Sequence, residues 1–459
     1  MSTGDQSIGE ISSATRQRAS SESGNRLRPV RPTSRTNMLG LLGVQFCSLY
    51  NDHTLKQIVL LLLVADSLGE KADADLQGLA IGLFALPFLL LAGPAGRLAD
   101  RLPKRSVILG CKYFEVALMA AVGLIFQSHI DPPRGLLLVT LFLMAAQSAY
   151  LTPAKYGVIS ELYPADWIAK VNAWMQVLGY LAIVLGASTG GWLLGREAPH
   201  ARWTCFFFLT TATLGVLFAH SIGSASRSGT TTPPGRPKPT DRGGYAPNQI
   251  RHFLKRIGSN RRLSDALLTY GVLWLLAGVY QPIVNLFCRQ ELGLGPWGTS
   301  LMLSLSVIGI ASGCGVAMIR RRHGWTVAYL RQCVVGLVIC QFMLSMLAKD
   351  TTSQSVIFSA LLLGLMGVLT GAVVLPLHVM IQLHAPAEIR GRVLATQGFV
   401  NWVAILTAGI AYQTLSLIAD RMNWMPSQLF LPVASFTLLV ALGLRGRGEA
   451  LIDIPLLHR

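Results

Sequence analysis

Charged residues are scarce in this chain of 459 residues, at 13%, where soluble proteins carry about 25%. Acidic ones are scarcest, 22 against 39 Lys and Arg. The seven cysteines (Cys47, Cys111, Cys205, Cys288, Cys314, Cys333 and Cys340) include no C-x-x-C pair, so they read as small core residues rather than a redox or metal site. The nine histidines show no H-E-x-x-H spacing, no Walker loop is present, and nothing reads as a nucleophile elbow. We therefore expect no cofactor, no metal and no enzymatic chemistry on this chain.

What fills the sequence instead is apolar: 52% of residues are hydrophobic, in long runs. Twelve runs reach spanning length, roughly Asn37 to Val64, Gln77 to Ala99, Ser106 to Phe126, Gly135 to Leu151, a fifth opening near Lys170, Trp203 to Ile222, and then 263 to 287, 297 to 319, 326 to 347, 354 to 383, 393 to 417 and 427 to 444. The expected fold is an all-α integral membrane protein of two six-helix halves, 37–222 and 263–446. Residues 1–36 are expected to be a disordered tail without a signal peptide. A flexible linker is expected over 223–262, with an amphipathic surface helix near Asn248 to Ile257, and a second tail over 447–459. The net charge of +17 would suggest nucleic acid in a soluble protein. Here roughly 30 of the 39 cations fall in loops on one side and about seven on the other, which makes membrane topology the better account and places both termini in the cytoplasm.

Polar residues break the first span at Tyr50-Asn51-Asp52-His53-Thr54-Leu55-Lys56. Asp52 lies about 21 Å beyond Met38 at 1.5 Å per residue, deep in a hydrocarbon core about 30 Å thick. Asp52 and Lys56 are i,i+4 neighbours in the favourable order, so they can pair. Left alone they would cost roughly 5 to 7 kcal/mol. A headgroup or coupling-ion site and a structural ion pair both account for them. In the second span Pro87 is expected to bend the helix. In the third, Lys112 and Glu115 are read as a structural pair near the interface, close enough to snorkel.

The patch Gly96-Arg97-Leu98-Ala99-Asp100-Arg101-Leu102-Pro103-Lys104-Arg105 must turn outside the hydrocarbon. It resembles the loop between helices 2 and 3 of the major facilitator superfamily, with Pro103 where that family usually has glycine. The resemblance implies a gating loop formed by Gly96, Asp100, Arg101, Lys104 and Arg105.

A sharper likeness follows in the next two spans. Pro153-Ala154-Lys155-Tyr156-Gly157, Glu161 before Leu162, and Lys170-Val171-Asn172 ahead of Gly179, Gly186, Gly190 and Gly191 resemble the bacterial lysophospholipid transporters. Asn51-Asp52 fits that family's first-helix element, whereas His53 departs from it, and Gln176 stands where those proteins commonly have Glu. Looser matches are Gly364 to His378 with Gln382, and Ala395-Thr396-Gln397-Gly398 with Asn401.

The resemblance implies carriage of lysophospholipid, lysophosphatidylethanolamine first, across a bacterial inner membrane, with an acyltransferase partner and contact with membrane lipids. Asp52 and Lys155 are then expected at the headgroup or coupling site, with Asn51, Lys56, Asn172, Gln176, Gln397 and Asn401 near it. Tyr280, Gln281, Asn285 and His378 can face the same cavity or bond between helices. No Asp, Glu, Lys or Arg lies deep in the second half, which suits an amphipathic ligand with its headgroup on the first half. Two other readings stay open: an exporter of drugs or other amphipathic molecules, and a membrane scaffold that transports nothing.

Overall fold

The computed structural model describes residues 35–64, 75–127, 133–195, 200–223, 258, 260–320, 324–347, 352–385 and 390–443. Among them the regular structure is helical. The first half holds α1 (Arg35–Leu62), α2 (Gln77–Leu90), α3 (Ala92–Arg101), α4 (Lys104–Gln127), α5 (Arg134–Leu162), α6 (Ala165–Leu194) and α7 (His200–Ser221). The second holds α8 (Arg261–Gln290), α9 (Pro296–Arg320), α10 (Val327–Ser345), α11 (Ser353–His384), α12 (Arg390–Met422) and α13 (Phe430–Gly443), the last led in by a 3₁₀ turn at Pro426–Leu429. The expected tails and most of the expected linker, with its surface helix, lie outside the described residues.

Ten of these helices are long and apolar enough to span a membrane by themselves, and α2 with α3 forms an eleventh span bent by 45°. The twelfth is α1. It is 28 residues long, and its polar run from Asn51 to Lys56 lowers its hydropathy. The six-plus-six pattern thus matches the expectation. The bend differs from it: α2 continues through Pro87 and breaks between Leu90 and Ala92. Pro94 explains this position, because its ring clashes with the carbonyl four residues back, at Leu90. The fourth span also differs, since α5 runs on through Pro153 to Leu162 and carries Lys155 inside the helix rather than at its end. Proline is tolerated within membrane helices where neighbours satisfy the freed backbone.

Within each half the helices pack closely: α1 on α6 and α7, α4 on α7, α9 on α11, and α8 on α12. At the crossing of α9 and α11 a Cβ on Gly313 would overlap the Val368 carbonyl, and one on Gly371 that of Ile310. Small residues let membrane helices approach this closely. Gly313→Ala is therefore expected to cost about 1–3 kcal/mol by overpacking. Thermal melting of the purified protein in detergent checks it, and an unchanged melting temperature contradicts it.

Beside lesser contacts of α8 with α1 and α2, the halves meet chiefly through two helix pairs, α2 with α12 and α6 with α9. Both contacts lie toward the end of the bundle opposite the basic loop at Arg97–Arg105, hereafter the far end. Toward the basic end α3, α5 and α11 pack within their own halves.

Candidate functional site

Closure at the far end is built from ordinary polar side chains. Asp75, just ahead of α2 and 2% exposed, accepts hydrogen bonds from the Gln77 backbone (2.8 Å), the Gln77 amide (3.1 Å) and the Tyr412 hydroxyl of α12 (2.6 Å). Burial pushes the Asp75 carboxyl above its ordinary range, against the lowering effect of these donors. The Gln413 amide donates to the Asp75 carbonyl at 2.7 Å. Gln77 accepts from Asn285 of α8 at 2.8 Å, and Asn285 in turn accepts from Gln57 of α1 at 3.3 Å. Gln57 also donates to Ser300 of α9 at 3.2 Å and accepts from Gln281 of α8 at 3.2 Å. Five helices from the two halves are thereby tied.

Two further contacts complete the closed layer. Gly78 and Gly409 face each other, and a Cβ on either would fall only 2.6 Å from the other's carbonyl oxygen. On the opposite flank the Ser188 and Ser304 hydroxyls lie 2.6 Å apart. Ser188 belongs to Gly186-Ala187-Ser188-Thr189-Gly190, which, contrary to the sequence reading above, does spell the G-x-S-x-G spacing of a nucleophile elbow. That motif needs a strand-to-helix turn, whereas here it lies within α6.

On the basic-end side of this layer the halves part around a cavity of about 1020 Å³, open solvent at its mouth included. Its walls are mainly apolar, from Leu273, Leu276, Val307, Leu337, Leu363 and Met366 of the second half together with Ile183 and Val184 of α6. The basic residues among those lining it are His53 and Lys56, both from α1. Lys56 places its ammonium 5.3 Å from the Phe84 ring centroid, a cation–π distance. Phe84 belongs to a cluster with Phe88 and Trp402, the latter two stacked at 3.7 Å across the halves.

The Asp52–Lys56 pairing expected from i,i+4 spacing is not formed. Asp52 instead accepts from the Ser148 hydroxyl of α5 at 2.6 Å. Ion pairs among the described residues are Lys104–Glu161 and Lys112–Glu115. Asp52 turns away from the cavity into a buried network within the first half. Lys112 binds Glu115 at 2.7 Å, with both side chains 0% exposed. Asn51 donates to the other Glu115 oxygen at 2.8 Å, and Gln147 donates to Glu115 at 3.3 Å. The expected Lys112–Glu115 pair is present, but it is enclosed by these partners and does not snorkel. One carboxylate oxygen of Asp52 and the amide oxygen of Asn51 are buried with no hydrogen-bond partner in the structure.

The remaining candidate residues are dispersed. Lys155 is 5% exposed, its ammonium 5.6 Å from the Tyr156 ring centroid. On α6 Asn172 is half-buried and Gln176 exposed. Gln397 contacts His378 at 2.9 Å, and Gln382 meets the other ring nitrogen at 2.9 Å. Asn401, its amide oriented to satisfy both partners, donates to the Gln397 carbonyl and accepts from Trp274. Tyr280 and Gln281 line the cavity. The expected gating loop is mostly helical: Gly96, Asp100 and Arg101 belong to α3 and Lys104 and Arg105 open α4, leaving only Leu102 and Pro103 between the helices. Asp100 and Arg101 are exposed, and Gly96 faces open space. Lys104 pairs with Glu161, and Arg105 donates to the His220 carbonyl at 2.9 Å.

Sequence reading missed Asp75, Gln57, Gln77, Tyr412 and Gln413. An acid abutting an apolar run and a glutamine one residue beyond Lys56 were the signals that point to them.

Known proteins share this architecture. Solved structures of a D-xylose–proton symporter (TM-score 0.64, 14% identity, covering 90% of this chain and 97% of that one) and of a bacterial homologue of the human lysosomal transporter Spinster in an inward-facing state (0.63, 13%, 92% and 96%) have the same fold. The lysophospholipid transporter LplT of Photorhabdus laumondii is 25% identical over 417 residues, 86% of this chain and 96% of its own length. Its namesake from Yersinia pestis is 24% identical over 378 residues, 82% and 86%. Residues 41–444 match the Major Facilitator Superfamily. The chain is a multi-pass membrane transporter and belongs to the major facilitator superfamily.

Proposed function

We propose that the chain carries lysophospholipid across a bacterial inner membrane by alternating access, for reacylation by a separate acyltransferase. The observation that carries this reading is the cavity. Its basic corner, His53 and Lys56, comes from α1 and its apolar walls mostly from the second half, which suits a ligand with one charged end and one acyl chain. Basic loops face the cytoplasm by the positive-inside rule. On that orientation both termini are cytoplasmic, and the state described is shut toward the periplasm and open inward. The basic stretch Gly96–Arg105, where α3 turns into α4, then serves the inner gate, while Asp52, with its unpartnered oxygen, is the coupling site supported from Asn51 and Lys155.

Uptake of labelled lysophosphatidylethanolamine and lysophosphatidylglycerol by spheroplasts, beside a fluorescent cationic drug, tests the reading. Lipid uptake that falls about tenfold or more in Asp52→Asn is expected, since the residue's charge is costly to bury and is retained for coupling. Drug movement with no lipid uptake overturns the reading in favour of an exporter.

A further inference from the structure

The cavity is electrically one-sided. Among its lining residues stand one lysine and one histidine, and no Asp or Glu. The nearest carboxylate along α1, Asp52, is 3% exposed and holds the Ser148 hydroxyl. Lys56 forms no ion pair with a described residue and lies over the Phe84 ring instead. His53, three residues earlier and so on the same side of the helix, is hydrogen-bonded to no described residue, and it has a ring N–H to donate in either tautomer. Around these two donors the cavity offers neutral groups only: the hydroxyls of Tyr280, Ser304, Ser306 and Thr370 and the amide of Gln281.

A phosphate is the natural counterion for an ammonium and accepts a hydrogen bond from an imidazole N–H beside it, and a weakly solvated site strengthens the attraction. A headgroup that adds its own ammonium brings a second cation beside Lys56, with no carboxylate among the lining residues to receive it. Like charges in one site are the means by which an interface rejects a wrong partner.

Resting on the lysophospholipid reading above, we propose that this cavity selects headgroups of net negative charge, with His53 and Lys56 as the selecting pair, so that an anionic lysophospholipid is preferred to a zwitterionic one of the same acyl chain.

The test uses the purified full chain in proteoliposomes, with protein-free vesicles subtracted to remove differences in partitioning. Lysophosphatidylglycerol and lysophosphatidylethanolamine with identical acyl chains are supplied separately and in competition. Lysophosphatidylglycerol is expected to enter about tenfold faster. Lys56→Gln and His53→Asn should each lower its entry more than that of the zwitterion and draw the ratio toward one, and Lys56→Arg should keep the ratio. Equal rates in the unaltered protein, or a preference for the zwitterion, overturn the inference while leaving lysophospholipid transport intact. A ratio unmoved by Lys56→Gln overturns the role of Lys56. Movement of neither lipid removes the transport reading and this one with it.

Discussion

Oxidation of a Ser188→Cys/Ser304→Cys variant stops transport altogether, and reductant restores it. The two hydroxyls lie 2.6 Å apart on α6 and α9, one of the two main helix pairs that join the halves. Disulfides need Cβ atoms about 3.5–4.5 Å apart, a separation that such close hydroxyls allow. Alternating access requires the halves to part at this point when the opposite end shuts. A covalent link holds them in the state described, and turnover should fall about a hundredfold or more, given that moving one half against the other is the transport step. Each single variant, oxidised in the same way, remains active, which separates the link from oxidation of the native cysteines. Full transport by the crosslinked protein would mean that the far end never opens between α6 and α9.

The second large effect is on folding. Glu115 holds Lys112, Asn51 and Gln147 at once, and neither member of the ion pair has any exposed surface. Glu115→Gln strands a buried ammonium, and removing one partner of such a pair costs about 3–5 kcal/mol. That is a large share of the roughly 5–15 kcal/mol that holds a typical domain together. Membrane yield and melting temperature should both drop sharply. The double variant Lys112→Met/Glu115→Gln removes the stranded charge and still offers Asn51 a carbonyl acceptor, so most of the melting temperature should return. A Glu115→Gln protein that melts as the parent does would show that the pair contributes little to stability.

These two sites were unequally legible. Lys112 and Glu115 are conspicuous, because opposite charges three residues apart in an apolar run are too costly to leave unpaired in a membrane. Their depth was misjudged, since Asn51 and Gln147 arrive from other helices and no local pattern places them there. Asp52 shows the same limit. Its i,i+4 relation to Lys56 is real, yet Ser148 on α5, 96 residues away, takes the carboxylate. Lys56 turns to the cavity.

Spans and the two-half repeat were readable because every helix must bury or expose apolar surface over the same thickness. The exception, α1, is polar where it meets the site. The far-end closure left almost no trace. Gln57, Gln77, Asn285 and Tyr412 are single polar residues in different spans, and buried hydrogen-bonding groups are common in membrane helices. Only assembly of both halves makes them a latch.

The most direct test of the account is counterflow of labelled lysophospholipid into proteoliposomes holding the purified chain, measured before and after oxidising the Ser188→Cys/Ser304→Cys variant. Accumulation that ends on crosslinking and resumes on reduction is the predicted result. Absence of lysophospholipid accumulation by the uncrosslinked protein, or accumulation indifferent to the crosslink, would contradict it.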